Sequence, residues 1–135
     1  MTFSANLDLV RSIYADLERG DFRRVDCAHA EIEYVRADGP DAASWTGLVG
    51  VAEAARARLS AWEDFRTEAE EYRELDNESV LVLIRATGRA KTSGLELGQM
   101  GSRGAVVFHL RGGKVTRLVS YMDRENALAD LGLKE

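Results

Sequence analysis

RTEAEEYREL, residues 66–75, can be read in two ways, and the fold turns on which one holds. Its Glu and Ala content favours a helix. Trp62, Phe65, Ala69 and Tyr72 would carry an apolar helical stripe through it to about residue 73. As a strand, the same residues would pair with 79–91, a run rich in Val, Leu and Ile, across the turn residues Asp76 and Asn77.

Elsewhere the patterning is clearer. Val10, Ile13, Tyr14 and Leu17 mark one face of an opening helix, with Ser4 or Asn6 as its cap and Gly20 after its end. Asp21 is placed to cap a short second helix that turns Phe22 and Val25 inward. Residues 31–37 read as a strand with Ile32, Tyr34 and Arg36 on one side, followed by a turn at 38–41. Leu48, Ala52, Ala55, Leu59 and Trp62 mark another amphipathic helix. After 79–91 comes a strand at 95–100 and a kink or bulge at Gly101 and Gly104. A hairpin then joins 105–111 to 114–122 across Gly112 and Gly113, and Asp123 is placed to cap a terminal helix with Ala127, Leu128 and Leu131 inward.

The 135 residues suit one domain, 1–135. Of these, 45% are hydrophobic and 30% charged, a globular composition. A net charge of −5 gives no basic surplus for nucleic acid. The longest apolar run, residues 80–84, is far short of a membrane span, and the N-terminus carries no secretory pattern. One cysteine, Cys27, excludes an internal disulfide and a multi-cysteine zinc site. A cytoplasmic location is expected. Residues 53–78 hold four basic and nine acidic side chains, and 79–120 hold seven basic and one acidic, blocks suited to pairing across strands.

These elements give an α+β chain with a curved antiparallel or mixed sheet and its helices on one face. Both sheet faces look apolar. A homodimer is therefore expected through the outer face, using Val82, Ile84, Val107, Val119 and Tyr121.

Three segments, IYADLERGDF at 13–22, Glu31–Tyr34 followed by WTGLVGVAEA at 45–54, and FHLRGGKVTRLVSYMDRENALADLGL at 108–133, together resemble the nuclear transport factor two-like superfamily, in its SnoaL-like and ketosteroid isomerase-like branch. The resemblance implies a cone-shaped, cystatin-like fold with the helices on the concave face and an apolar pocket, and it requires 66–75 to be a strand. It also implies a small apolar or weakly acidic ligand, with cofactor-independent isomerase, cyclase or lyase chemistry, or alternatively a non-catalytic dimeric binding or interaction module. The ketosteroid isomerase tyrosine, base and acid positions fall on Ile13, Tyr34 and Val106, so that activity is not expected. The cyclase and epoxide hydrolase site patterns do not map.

If Leu81 and Leu83 face the pocket, Arg85, Thr87 and Arg89 share that face and could hold an anionic oxygen, unless Glu68, Glu70 or Glu71 pairs with them. Tyr34 and Arg85 are the catalytic candidates. Trp62, Phe65, Thr87, Arg89, Leu118, Ser120 and Met122 are the ligand-binding ones. His109 should point away from the pocket, His29 should be a solvated loop residue, Cys27 packing filler and Asp123 a cap. No spacing of a metal site is visible and no cofactor is expected.

Overall fold

A computed structural model describes residues 2–18, 28–38, 42–76, 78–90 and 103–133, without the side chains of 2–4, 17, 18, 58–65, 89 and 90. In chain order the elements are α1 (Thr2–Glu18), β1 (Ala28–Arg36), β2 (Ala43–Thr46), α2 (Gly47–Ala61), β3 (Trp62–Asp76), β4 (Ser79–Ala90), β5 (Arg103–Arg111), β6 (Lys114–Tyr121) and α3 (Arg124–Leu131). The short helix at 21–25, Cys27, the strand at 95–100 and Gly101 lie outside the described residues. Ser4 and Asn6 lie within α1 and do not cap it. The strand β2 was not anticipated.

Among the described residues six strands form one curved, unclosed sheet in the order β2-β1-β6-β5-β4-β3. Every neighbouring pair is antiparallel except β1 with β6, which is parallel. The β5–β6 hairpin turns through Gly112 and Gly113, whose φ of 60° and 77° match a turn that needs two left-handed residues.

The ambiguous segment is a strand. It lies at the sheet edge, paired with β4 from Trp62 opposite Ala90 to Asp76 opposite Ser79. Ala69 faces Ile84 and Glu71 faces Leu83, so Glu70 is one residue too many and forms a bulge. The bulge returns Tyr72 to the same face as Ala69, and both pack on one core cluster. A bulged strand thus reproduces the three-residue spacing of a helix. Its exposed glutamates also guard an edge that could otherwise pair with another chain.

The sheet is covered on both sides. Val10 and Tyr14 of α1 and Val51 of α2 pack with Ile32, Val80, Val82, Ile84, Val106, Phe108 and Leu110 on what we term the inner face. Ala127 and Leu128 of α3 pack with Leu81, Leu83, Ala105, Val107 and Val119 on the outer face. The expectation that all helices share one face is therefore corrected, as is the orientation of β4. Leu81 and Leu83 face outward, and Val82 and Ile84 face inward. A strand apolar at every position shows no two-residue contrast, so its phase cannot be read from sequence. Val107, Val119 and Tyr121 do lie on the outer face, but α3 leaves Val107 and Val119 buried within one chain. Sedimentation reads the expected self-association through this face directly.

The face of α2 is corrected too. Ala54 is buried and Val51 half-buried, whereas Leu48, Ala52 and Ala55 are exposed. Gly50 lets the helix start lie close to Trp45, since a Cβ there would come 3.1 Å from the Trp45 Cβ. At the chain's end Asp123 caps α3 as expected, accepting from the Glu125 N–H, and Gly132 closes the helix in the left-handed conformation.

Candidate functional site

Two rows of side chains cross the inner face. In one, register places Trp45, Tyr34, Leu118, Phe108, Val80 and Glu74 side by side. In the next lie Arg36, Ser120, Val106, Val82 and Tyr72. The β4 and β5 portions of both rows are filled by the apolar core under α1. Polar groups gather at the β2-β1-β6 end.

There Tyr34 is buried, and its hydroxyl lies 3.2 Å from Ser120 Oγ. Arg36 Nε donates to the Tyr34 hydroxyl at 3.4 Å, and Arg36 Nη2 donates to the Ala54 carbonyl of α2 at 3.0 Å. Trp45 stacks on Tyr34 with ring centres 5.6 Å apart and an interplanar angle of 22°. The guanidinium lies against both rings, its Cζ 4.8 Å from the Trp45 centroid and 5.6 Å from that of Tyr34. A cation that cannot lose its proton is thereby fixed beside a phenol. The phenol oxygen accepts from Arg36 and can pass its own proton toward Ser120 or a ligand.

The end of β1 is locked next to β6. Ala37 N donates to Ser120 O, and the Asp38 carboxylate accepts from Met122 N, Asp123 N and Asn126 Nδ2. This corner holds Tyr34 and Ser120 in register.

Of the candidates, Tyr34, Leu118 and Ser120 are brought together. Met122 follows Ser120 but is exposed at the corner. Arg85 is on the other face, since β4 runs without irregularity from Ser79 to Arg85 beside β5, and it is exposed. Thr87 follows Arg85 by two residues and is half-buried. The side chains of Trp62, Phe65 and Arg89 lie outside the described residues. Arg36 and Trp45 were missed. The alternation of Ile32, Tyr34 and Arg36 was the available signal for Arg36, because β1 has one contrasting face. Nothing local marked Trp45, which reaches the site only through pairing with β1.

Ile13 packs against the inner core, and Val106 lies beside Ser120. The positions that the resemblance matches to ketosteroid isomerase groups, Ile13, Tyr34 and Val106, thus lie on the same face of the sheet. His109 is on β5 at an outer-face position, while His29 is exposed within β1, not in a loop before it. Among the described residues no group of three or more His, Cys, Asp or Glu could hold a metal ion. No helix among them is long and apolar enough to cross a membrane.

Partial burial, with Arg117 opposite, holds the His109 imidazole below its usual pKa of 6.5. The unfolded chain then binds the proton more readily, so this contribution is complete above the ordinary value and is lost as pH falls below it. Thermal melts between about pH 7.5 and about pH 5.5 should show a declining Tm in wild type and a shallower decline in His109→Gln. Parallel profiles would refute the assignment.

Such a fold, a curved mixed sheet with helices over an aromatic and polar corner, is of the nuclear transport factor two-like kind. The chain belongs to the SnoaL-like domain family, whose model matches residues 10–118. No curated protein sequence matches. Solved structures do. A nuclear transport factor two-like protein of unknown function from Burkholderia pseudomallei is 17% identical over 93% of this chain and 95% of that one, with a TM-score of 0.76. TerC, crystallised with polyporic acid, is 19% identical over 94% of this chain and 97% of its own, with a TM-score of 0.74. A SnoaL-like polyketide cyclase candidate from Mesorhizobium loti is 14% identical over 85% of this chain and 97% of its own, with a TM-score of 0.67. At these identities the likeness is one of fold.

Proposed function

We propose that this chain binds a small, largely apolar molecule on the inner face and holds an enolisable carbonyl or acidic oxygen of it against Tyr34 and Arg36. The observation that carries this reading is the Arg36 guanidinium itself. It is kept on the sheet face by the Ala54 carbonyl and two aromatic rings, where a water-exposed position would have been easier to solvate. Trp45 supplies a flat apolar wall, and the Tyr34 and Ser120 hydroxyls supply the short-range polar contacts.

In the catalytic form of this reading the reaction is proton transfer beside a carbonyl, as in isomerisation, cyclisation or elimination. Tyr34 donates to the oxygen on which charge develops, and Arg36 stabilises that charge. A second reading, binding without turnover, is favoured by the composition of the cluster. Its hydrogen bonds join a phenol, a serine hydroxyl, a guanidinium and a backbone carbonyl, groups that bind and orient an oxygen more readily than they remove a proton from carbon. TerC's structure with polyporic acid makes that aromatic acid a reasonable first probe.

Titration of the protein with polyporic acid and related enolic compounds, followed by tryptophan fluorescence and thermal shift, tests the site. Wild type should saturate. Arg36→Met should lose about tenfold or more in affinity and Tyr34→Phe a smaller factor, while Arg111→Met, whose side chain pairs with Glu78 at the surface, should match wild type. Equal affinities in all four proteins would remove the inner-face cluster from the site. Product formation separates the catalytic reading from simple binding.

A further inference from the structure

We propose that Arg85 and Arg103 form a carboxylate-binding site on the outer face of the sheet, remote from the inner-face cluster. The two residues are direct partners in the β4–β5 register and share one face. Like charges placed opposite each other on a ladder repel, so an anion between or beside them is favoured. Among the described residues Glu70 is one such anion, and it is already engaged. Its Oε1 accepts from Arg124 Nη2 at 2.6 Å and makes only a longer, 4.0 Å ion pair with Arg103 Nε, so one carboxylate is shared between two guanidinium groups.

Arg85 makes no hydrogen bond and no ion pair among the described residues. Its positive charge, after those of Arg124 and Arg103, helps hold the Glu70 carboxyl below its usual pKa. Glu68 is its register partner on β3 but is exposed and forms no ion pair with it among the described residues. Both Arg85 and Arg103 are exposed, so an external group can reach them.

Charge selects the class of ligand. Three guanidinium groups, Arg85, Arg103 and Arg124, stand against the carboxylates of Glu68 and Glu70, a surplus of one positive charge. One singly charged carboxylate neutralises it, and its two oxygens suit the paired N–H donors of a guanidinium. A doubly charged phosphate would leave the cluster negative. Arg124 does not take part directly, because α3 and two backbone carbonyls enclose it.

The test follows the arginine Nε–Hε resonances by NMR while sodium acetate is added, with sodium chloride at matched ionic strength and inorganic phosphate as parallel titrations. The signals of Arg85 and Arg103 should shift saturably with acetate and not with chloride. Arg85→Gln and Arg103→Gln should each weaken the response of the remaining arginine by roughly tenfold. Arg111→Gln should leave it unchanged. Because both residues are exposed, the backbone spectrum should confirm that each variant is folded. Identical shifts with chloride and acetate, or no saturation with acetate, would overturn the site. Phosphate saturating where acetate does not would overturn the carboxylate assignment.

Discussion

Replacing Arg124 with Met should lower stability by about 3 kcal/mol and Tm by about 10 °C, the largest loss expected from any polar substitution discussed here. Arg124 is 5% exposed at the start of α3. It donates to Ile84 O at 2.9 Å, to Gly104 O at 3.4 Å and to Glu70 Oε1 at 2.6 Å. Ile84 stands opposite the β3 bulge, and Gly104 lies just beyond the final β5–β6 pair. The guanidinium therefore serves backbone oxygens next to interruptions in both ladders. Methionine fills a similar volume but donates nothing, so these acceptors are left buried and unpaired. Glu70 is better placed, since its side chain is 37% exposed and can turn to water. This keeps the expected loss at the lower end for a broken buried pair.

A second readout distinguishes the Glu70 bond from the rest. The Arg124 hydrogen bond and charge hold the Glu70 carboxyl below its usual 4.5. The folded state thus gains stability above that value and loses it as pH falls through and below it. Arg124→Met should flatten this acid limb, and adding Glu70→Gln to Arg124→Met should cost little more. Denaturant unfolding of the four proteins of that cycle measures the coupling. A stability change under about 0.5 kcal/mol in Arg124→Met, within the range of ordinary surface substitutions, would show that the bonds to Ile84 and Gly104 do not form in solution.

Gly104→Ala should destabilise by about 2 kcal/mol, although glycine to alanine in a strand ordinarily helps. The added Cβ would come 2.5 Å from the Tyr121 backbone oxygen and 3.4 Å from Ile84 Cγ1. A carbonyl at the end of β6 cannot swing aside as a side chain can, so the strands must separate. Gly113→Ala makes the contrast. Its φ of 77° disfavours a side chain, yet nothing lies within 4 Å of the new atom, so its cost should be about 1 kcal/mol. Urea unfolding of both variants decides the matter. Gly104→Ala equal to or more stable than wild type would mean that the β5–β6 approach is looser than described.

The positions of Arg124 and Gly104 show where sequence reading ends. Gly104 was flagged as a kink or bulge. Its role is a close approach by a strand end that no local pattern reveals. Arg124 was read only as a residue of the last helix. Its partners lie 20, 40 and 54 positions away in the chain.

Sequence alone determined the elements whose signals are local. The α1 stripe of Val10 and Tyr14, the Gly112-Gly113 hairpin, the Asp123 cap and the contrasting face of Ile32, Tyr34 and Arg36 all depend on residues within a few positions of each other. With the family resemblance added, β3 followed despite its helical composition. Tertiary structure decided what depends on partners distant in the chain. It set the bulge at Glu70, which makes a strand mimic helical spacing, and the phase of β4, whose apolar run has no polar face to orient it. It also carried α3 to the outer face and brought Trp45 onto Tyr34. Burial on both sides removes the polar contrast that encodes direction in a strand. The register of β4 on β5 alone places Arg85 outward, while the contrasting face of β1 puts Arg36, with Tyr34, at the inner site.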